Sequence, residues 1–534
     1  MPQVDASTLI LIALDHAIIV AIDASTTTLR AVAYSERGQE LSMGRAALAV
    51  KSPETDAYEQ DAEEWWTGLG RAIAEMKRGL SPEQVAEIAV LVIAHQRETV
   101  VVTDRKGTPL APALLWMDSR CQREVARATS RLGAVRIHGL SGKPPCTTPS
   151  LYKLMHLFGT HPELRPSSFV HDVHSFLSLR LTGRAVSSFA SADPSGLLDM
   201  RSKKWSADLL TLVGLRPDQL PELVEPGYLI GPLTPGAATS LGLPGGTLVY
   251  AGAGDGQAAG LGAGVTTPHR CYIEMATAVS AAVLTQSYQL SNAYRTLFSA
   301  VPGSYCLETT LRGGMQTLYW WLENQLGKKL RKEAMLELER QAEAIAAGSD
   351  GLLVLPYWAG VMSPHWDDEA RGALIGLHHR HRPEHVYRAV LEGLSFELRY
   401  HLEGIEGSAG RLERRVHVLG GGSRSDLWCQ ILADVLDLKV VRTASAEATA
   451  LGAALLGAVA HGIYPHFEEA ALEMTRTGEE FEPGPAASSY DRLYRGAYRG
   501  LYADIQSRLH VLAEFREAEL IRPGETSPPI EGEA

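Results

Sequence analysis

Cysteine is scarce in this chain. There are five in 534 residues, Cys121, Cys146, Cys271, Cys306 and Cys429. They are odd in number, scattered, and form no CxxC pair, which excludes a disulfide-stapled secreted framework and fits a reducing cytoplasm. Long apolar runs are missing too. Leu9–Leu14 comes nearest to a leader, but no basic residue precedes it and Asp15 and His16 interrupt it. It is a poor signal peptide and far too short to span a bilayer. Positive charge is in deficit: the formal net charge is -12, which argues against broad nucleic-acid binding. A nucleotide can still bind if a metal and backbone N–H groups meet its phosphates. What remains is a globular composition on a chain too long for one core, so two or more domains are expected.

The most informative stretch is Leu248–Gly264, LVYAGAGDGQAAGLGAG. Leu248–Tyr250 reads as a buried strand. Gly252, Gly254 and Gly256 flank Asp255 and predict a sharp turn there. Gly256, Gly260 and Gly264 recur every four residues, which on a helix leaves one bare face for a close neighbour. Asp255 thus falls where a strand ends and a helix begins. The helix N-terminus favours an anion, so the sequence predicts an ionised carboxylate, suited to a base aimed into a cleft. Taken alone, the stretch reads more simply as an N-cap on a tightly packed helix.

Other segments supply context. Ile18–Asp23 is an apolar strand ending in an acid, followed by the hydroxyl-rich turn Ala24–Thr28 and a second strand. Such a turn can hold phosphate oxygens while Asp23 orients water around magnesium; a plain polar β-turn fits the turn alone. Cys271–Met275, the small turn Ala276–Ser280 and Ala281–Thr285 repeat the pattern, so two such turns could face each other across a cleft. Arg97 and Glu98 follow the strand Ile88–Ile93 and pair a donor fork with an acceptor, as a polyhydroxylated ligand requires; a surface ion pair is the alternative. Gly420–Gly422, between a strand and the helix Asp426–Leu436, offers bare backbone to a nucleotide base or forms a tight turn. Gly227–Leu243 reads as a loop-rich approach to the Leu248–Gly264 stretch, Ser187–Ser195 as a hydroxyl-rich loop. His171 and His174 lack a third metal ligand nearby. Tyr490, Tyr494, Tyr498 and Tyr502 fall on one face of a last helix, as core packing. Residues 521–534, rich in proline and acids, read as a disordered tail.

The order of these motifs resembles the FGGY family of carbohydrate kinases over roughly residues 17–510. The matching pieces are IDASTTTLRAV, YEQDAEEWW, HQRETVVVTD, LLWMDSR, GAGDGQAAGLGAG, ARGALIGL, RAVLEGLSFELR and GGGSRSDLWCQILADVLDLKVV with EATALGAAL. The resemblance implies an α/β fold of two actin-like (ribonuclease H-like) domains. Residues 17–264 would form the sugar-binding domain with the catalytic acid and 265–510 the nucleotide-binding domain, with ATP in the cleft between them. It implies a phosphotransferase acting on a sugar or polyol hydroxyl, using ATP and Mg²⁺, with no nucleic acid or membrane partner; a homodimer is compatible with it.

By resemblance, Asp255 matches the acid that takes the hydroxyl proton and touches substrate, and Asp23 the acid near the metal. Thr26 and Thr27 match the first phosphate turn and Thr277 the second. Gly314, Gly421, Gly422 and Ser425 match positions around the adenosine. Arg97 and Glu98 match sugar contacts of glycerol kinases, with Asp118 and Arg120 a neighbouring pair. The Gly252–Gly264 region and the C-terminal half look more like xylulokinases, which makes a ketose such as D-xylulose the first substrate expected, a glycerol- or erythritol-type polyol the second and ribulose the third. Ser25 and Ala276 stand where the family usually has glycine, and a turn needing positive φ there would be strained. Two other readings are a sugar- or nucleotide-binding regulator without catalysis, which those positions make conceivable, and an actin-like filament or chaperone ATPase, against which Arg97, Glu98 and the C-terminal signature speak.

Overall fold

The computed structural model describes residues 17–326 and 332–520. The Leu9–Leu14 run and the 521–534 segment lie outside the described residues. Thirteen strands make up the two large sheets. They are β1 (Ile18–Ala24), β2 (Thr28–Tyr34), β3 (Glu40–Ala47), β4 (Ile88–His95), β5 (Leu229–Pro232) and β6 (Leu248–Gly254), then β7 (Cys271–Met275), β8 (Val279–Thr285), β9 (Arg295–Phe298), β10 (Tyr305–Leu311), β11 (Arg415–Leu419), β12 (Lys439–Thr443) and β13 (Thr477–Phe481).

The first sheet runs β5-β6-β4-β1-β2-β3 and the second β9-β10-β8-β7-β11-β12-β13. In each, an antiparallel meander of three strands is extended by two parallel strands on the side of its first strand. The repeat seen in the sequence is therefore a repeat of whole sheets. β1 has no polar alternation because both its faces are covered. Ile18, Val20 and Ile22 pack with Trp65 and Leu69, whereas Ile19 and Ala21 pack with Leu451, Ala454 and Leu455. β7 is likewise buried: Ile273 and Met275 join a core with Leu394, Phe396 and Trp428, and Tyr272 faces Ala259 and Ala263.

Two helices occupy the seam between the sheets: α1 (Asp255–Gly262), directly after β6, and α2 (Ala448–His461), after β12. Their backbones touch. A Cβ on Gly262 would lie 1.9 Å from the Ala448 carbonyl oxygen, and one on Gly452 would lie 1.8 Å from that of Ala258. The bare-face expectation holds in kind but not in position. Gly260 instead receives the Tyr272 ring, 2.4 Å from a built Cβ, and Gly264 lies beyond the helix at φ +78°.

Several local expectations need correction. Gly227–Leu243 contains β5 and a helix, Pro235–Leu241, capped by the Thr234 hydroxyl. Ser187–Ser195 is not an open loop: it folds as the helical turns Phe189–Ala192 and Asp193–Ser195, with Ser187, Ser188 and Ser191 buried and bonded within the protein. The last helix is interrupted by a π-helical turn at Tyr494–Tyr498. The four tyrosines are buried as expected, and their hydroxyls donate to Glu392, Glu403, Glu397 and Asp367.

Candidate active site

The parallel strands β1, β4 and β6 end together. Ala24 and Gly254 each register with His95, so Asp23, Arg97–Glu98 and Asp255 arrive at one edge of the first sheet. On the other side, β7 and β11 end together, with Glu274 opposite Leu419. This sets the turn Ala276–Ala278 beside Gly420–Gly422; a Cβ on Gly422 would meet the Met275 side chain at 3.0 Å. A Cβ on Gly314 would lie 2.6 Å from the Thr277 carbonyl oxygen, and the amides of Met315 and Gln316 donate to the carbonyls of Ala276 and Thr277. The helix Gly314–Leu326 thus presses its start against the second turn, an approach only glycine permits.

The two turns match. Thr27 and Thr277 are each the exposed residue of their turn. Neither Ser25 nor Ala276 has positive φ, so their side chains impose no strain. Thr26 accepts a hydrogen bond at 3.0 Å from the indole N–H of Trp116, an exposed aromatic the sequence reading did not single out.

Asp23 is 3% exposed; its carboxylate accepts from the Ser25 hydroxyl at 2.7 Å and from Arg30 at 2.8 Å. Burial raises its proton affinity, and the bonds from Ser25 and Arg30 oppose that. Arg30 also reaches Glu447, at 3.4 Å, just ahead of α2. Asp255 opens α1 with its side chain 36% exposed; Oδ1 accepts from the Gly256 amide at 2.8 Å and lies 3.2 Å from Arg97 Nε. The helix terminus does not dominate its titration. The cleft walls strip its hydration and push the carboxyl above its usual range, beyond what Arg97 and the Gly256 amide take back. Nor do its neighbouring glycines supply positive φ. They supply room: Cβ atoms on Gly252 and Gly254 would strike Ile93 O at 1.8 Å and the Arg97 stem at 2.5 Å.

Arg97 and Glu98 are not a surface pair. Arg97 NH1 donates to Glu308 at 2.7 Å, and Glu98 accepts from Arg295 at 2.7 Å. Glu98 sits at φ 58°, a conformation costly for a non-glycine residue. Asp118 is 1% exposed and spent on Arg120 and the Tyr58 amide; Arg120 continues to Glu54 and Glu59. The Ser425 hydroxyl caps the next helix through the Trp428 amide at 3.0 Å and donates to Glu339, while Gly421 borders open space. His174 is structural: Nδ1 bonds the Val186 carbonyl and Nε2 accepts from the Gly252 amide, and burial pushes its pKa down to about 4.

Glu274 went unnoticed in the sequence reading. It is the next-to-last residue of β7, as Asp23 is of β1. Burial, with Asp255 the next contributor, pushes its carboxyl up to about 7. Aligning the two strand–turn–strand repeats places the two acids opposite each other and would have found it.

The chain is similar to known proteins over nearly its whole length. Residues 18–262 match the N-terminal domain and residues 265–461 the C-terminal domain of the "FGGY family of carbohydrate kinases". This chain belongs to that family. It is an ATP-dependent sugar kinase of two actin-like, ribonuclease H-like domains. The xylulose kinase of Lactococcus lactis is 28% identical over 93% of this chain and 99% of that protein. The glycerol kinase of Thermococcus gammatolerans is 30% identical over 90% and 96%. The crystal structure of xylulose kinase from Rhodospirillum rubrum superposes with a TM-score of 0.86 at 27% identity, covering 92% of this chain and all of that one. Among the described residues no helix of the kinase is long and apolar enough to cross a membrane, and all five cysteines are free.

Proposed function

We propose that this kinase transfers the terminal phosphoryl group of ATP to a hydroxyl of a small ketose, D-xylulose first, with Asp255 as the base. The domain division at 264/265 belongs to the same reading. The observation that carries it is the Asp255 carboxylate, the one open end of an otherwise buried charge network. Oδ1 is engaged, and Oδ2, among the described residues, has no protein partner. Its raised proton affinity makes it a better acceptor for the hydroxyl proton. Thr27 and Thr277 meet the phosphates from opposite domains; Gly421 leaves space for the adenosine, and Gly314 and Gly422 let the backbone pack closely on the second turn and on Trp428 beside it.

The donors suit magnesium. Asp23, Thr26, Thr27 and Thr277 present only oxygen, and no cluster of three ligating side chains occurs among the described residues. Mg²⁺ keeps waters and phosphate oxygens instead of filling a protein cage. Asp23 would hold it through that shell, and when bound it supplies charge neutralisation to the transferring phosphoryl group. Asp255 orients and deprotonates the hydroxyl, and closure of the domains excludes water as a competing acceptor.

A neutral substrate is favoured because the pocket cations are already matched. Arg97 and Arg295 share Glu308, Arg295 also holds Glu98, and Lys143 Nζ lies 3.6 Å from Asp193. Neither the Arg97 nor the Arg295 guanidinium is left without a carboxylate to offer to a sugar acid. The Xylulose kinase relatives point to D-xylulose. Glycerol or erythritol is the second reading, favoured by Arg97–Glu98 and the glycerol kinase relative. An ADP-release assay over D-xylulose, ribulose, glycerol and erythritol tests this. The highest kcat/KM is expected on D-xylulose. A preference for glycerol would select the second reading, and ATP turnover indifferent to every sugar would contradict both.

A further inference from the structure

One ionic chain crosses from domain to domain and ends on the base. β9 and β10 pair so that Arg295 registers with Glu308, and Arg295 Nε donates to Glu308 Oε1 at 2.8 Å. Glu308 Oε2 accepts from Arg97 NH1 at 2.7 Å, and the Nε of the same guanidinium faces Asp255 Oδ1 at 3.2 Å. The far end of the chain is Glu98, bound to Arg295. The side chains of Glu98, Arg295, Glu308 and Arg97 are only 4%, 7%, 1% and 11% exposed. Their partners lie 197 and 211 residues apart in sequence.

Stability does not explain this chain. Buried ion networks lose more hydration than they recover in Coulomb energy unless very well bonded, and apolar replacements are often as stable. What distinguishes this one is that it terminates on the exposed carboxylate. Its anchor is the docking of β9 onto the first domain, where the Thr296 amide donates to the Gly142 carbonyl at 2.8 Å and the Phe298 amide to Asp193.

We propose that Glu308 is a positioning residue: through Arg97 it fixes where the Asp255 carboxylate points, so the base of one domain is set by the docking of the other. Glu308 also holds down the charge that Arg97 presents to Asp255. The inference rests on Asp255 being the base.

The test is Glu308→Gln, which keeps the shape and removes the charge. Turnover of the best sugar is expected to fall about a hundredfold with the KM for ATP unchanged. The acid limb of the kcat/KM profile should move to lower pH by roughly one unit, because Arg97, released from Glu308, gives its full charge to Asp255. A lower melting temperature with kcat and the acid limb of the folded enzyme unmoved would overturn the proposal. Glu308→Asp keeps the charge but retracts it by one methylene. It should lower kcat about tenfold and leave the acid limb in place, and it decides the matter if Glu308→Gln does not fold; wild-type kcat in Glu308→Asp would then overturn the proposal. Asp255→Asn in the same assay separates the two claims. If Asp255→Asn stays active, the base assignment fails. If Asp255→Asn is inactive and Glu308→Gln behaves as wild type, only this inference fails.

Discussion

A single carboxylate takes its properties from what surrounds it, and this cleft holds three with different surroundings. Asp23 is buried and takes one bond at each oxygen, from Ser25 and Arg30, so its carboxylate is fixed in place beside a cation. Asp255 is half open and only partly bonded, so it can receive a proton. Glu274 is pushed up to about 7, so near neutrality it is divided between its two forms. Replacing Asp23 with asparagine removes the carboxylate but keeps the shape. The magnesium concentration for half-maximal activity should rise about tenfold, read by magnesium titration at constant ATP; an unchanged requirement would remove Asp23 from the metal's environment. Asp255 was legible in sequence because it is the only acid in a glycine-alanine run at a strand–helix junction. Glu308 and Arg295 were not, because nothing local distinguishes them: their roles arise from partners about two hundred residues away.

The seam between α1 and α2 decides how the two sheets meet. Backbone carbonyls cannot retreat as side-chain tips can. Gly452→Ala, whose new Cβ would sit 1.8 Å from Ala258 O, should therefore cost about 3 kcal/mol in urea unfolding. Gly496→Ala is the matched control, since nothing lies within 4 Å of its built Cβ and its φ is not positive. It should change stability by less than about 1 kcal/mol. Equal effects at the two positions would contradict the seam as drawn. The four-residue glycine spacing announced a close contact, but spacing does not say what approaches. Gly260 accommodates a tyrosine ring and Gly262 a helix backbone, a distinction set by tertiary packing. Helix caps and apolar strands were readable because their signals are local. β5 was missed because Leu229–Pro232 is short and ends in proline, and the π-helical turn because the tyrosine spacing of four continues across it.

The pattern of the whole molecule, two like sheets with hydroxylic turns at their first strand ends, was visible as a faint repeat. Its strand order was not, since pairing is long-range. The same fold buries many acids, and this shapes its response to pH. Burial raises Glu274 and Glu397 to about 7, so between their unfolded value of 4.5 and 7 the folded state binds more protons, and stability falls as pH rises through that window. Burial alone would also raise Glu308, but Arg295 and Arg97 bring it down to about 2. Its contribution is complete above 4.5 and is lost as pH falls toward 2. Buried histidines pushed down to about 4, such as His174 and His401, act in the opposite sense between 4 and 6.5, so the carboxylate contribution is read by difference: the melting-temperature advantage of wild type over Glu397→Gln should shrink from pH 5 to pH 7.5, and an advantage that grows over that range would contradict this assignment of charges. For Asp255 as the base, the most direct measurement is the turnover of Asp255→Asn on the best sugar, with ATP affinity measured by calorimetry on the same preparation. Turnover should fall about a thousandfold while ATP binding persists; near-normal turnover would show that the proton goes elsewhere.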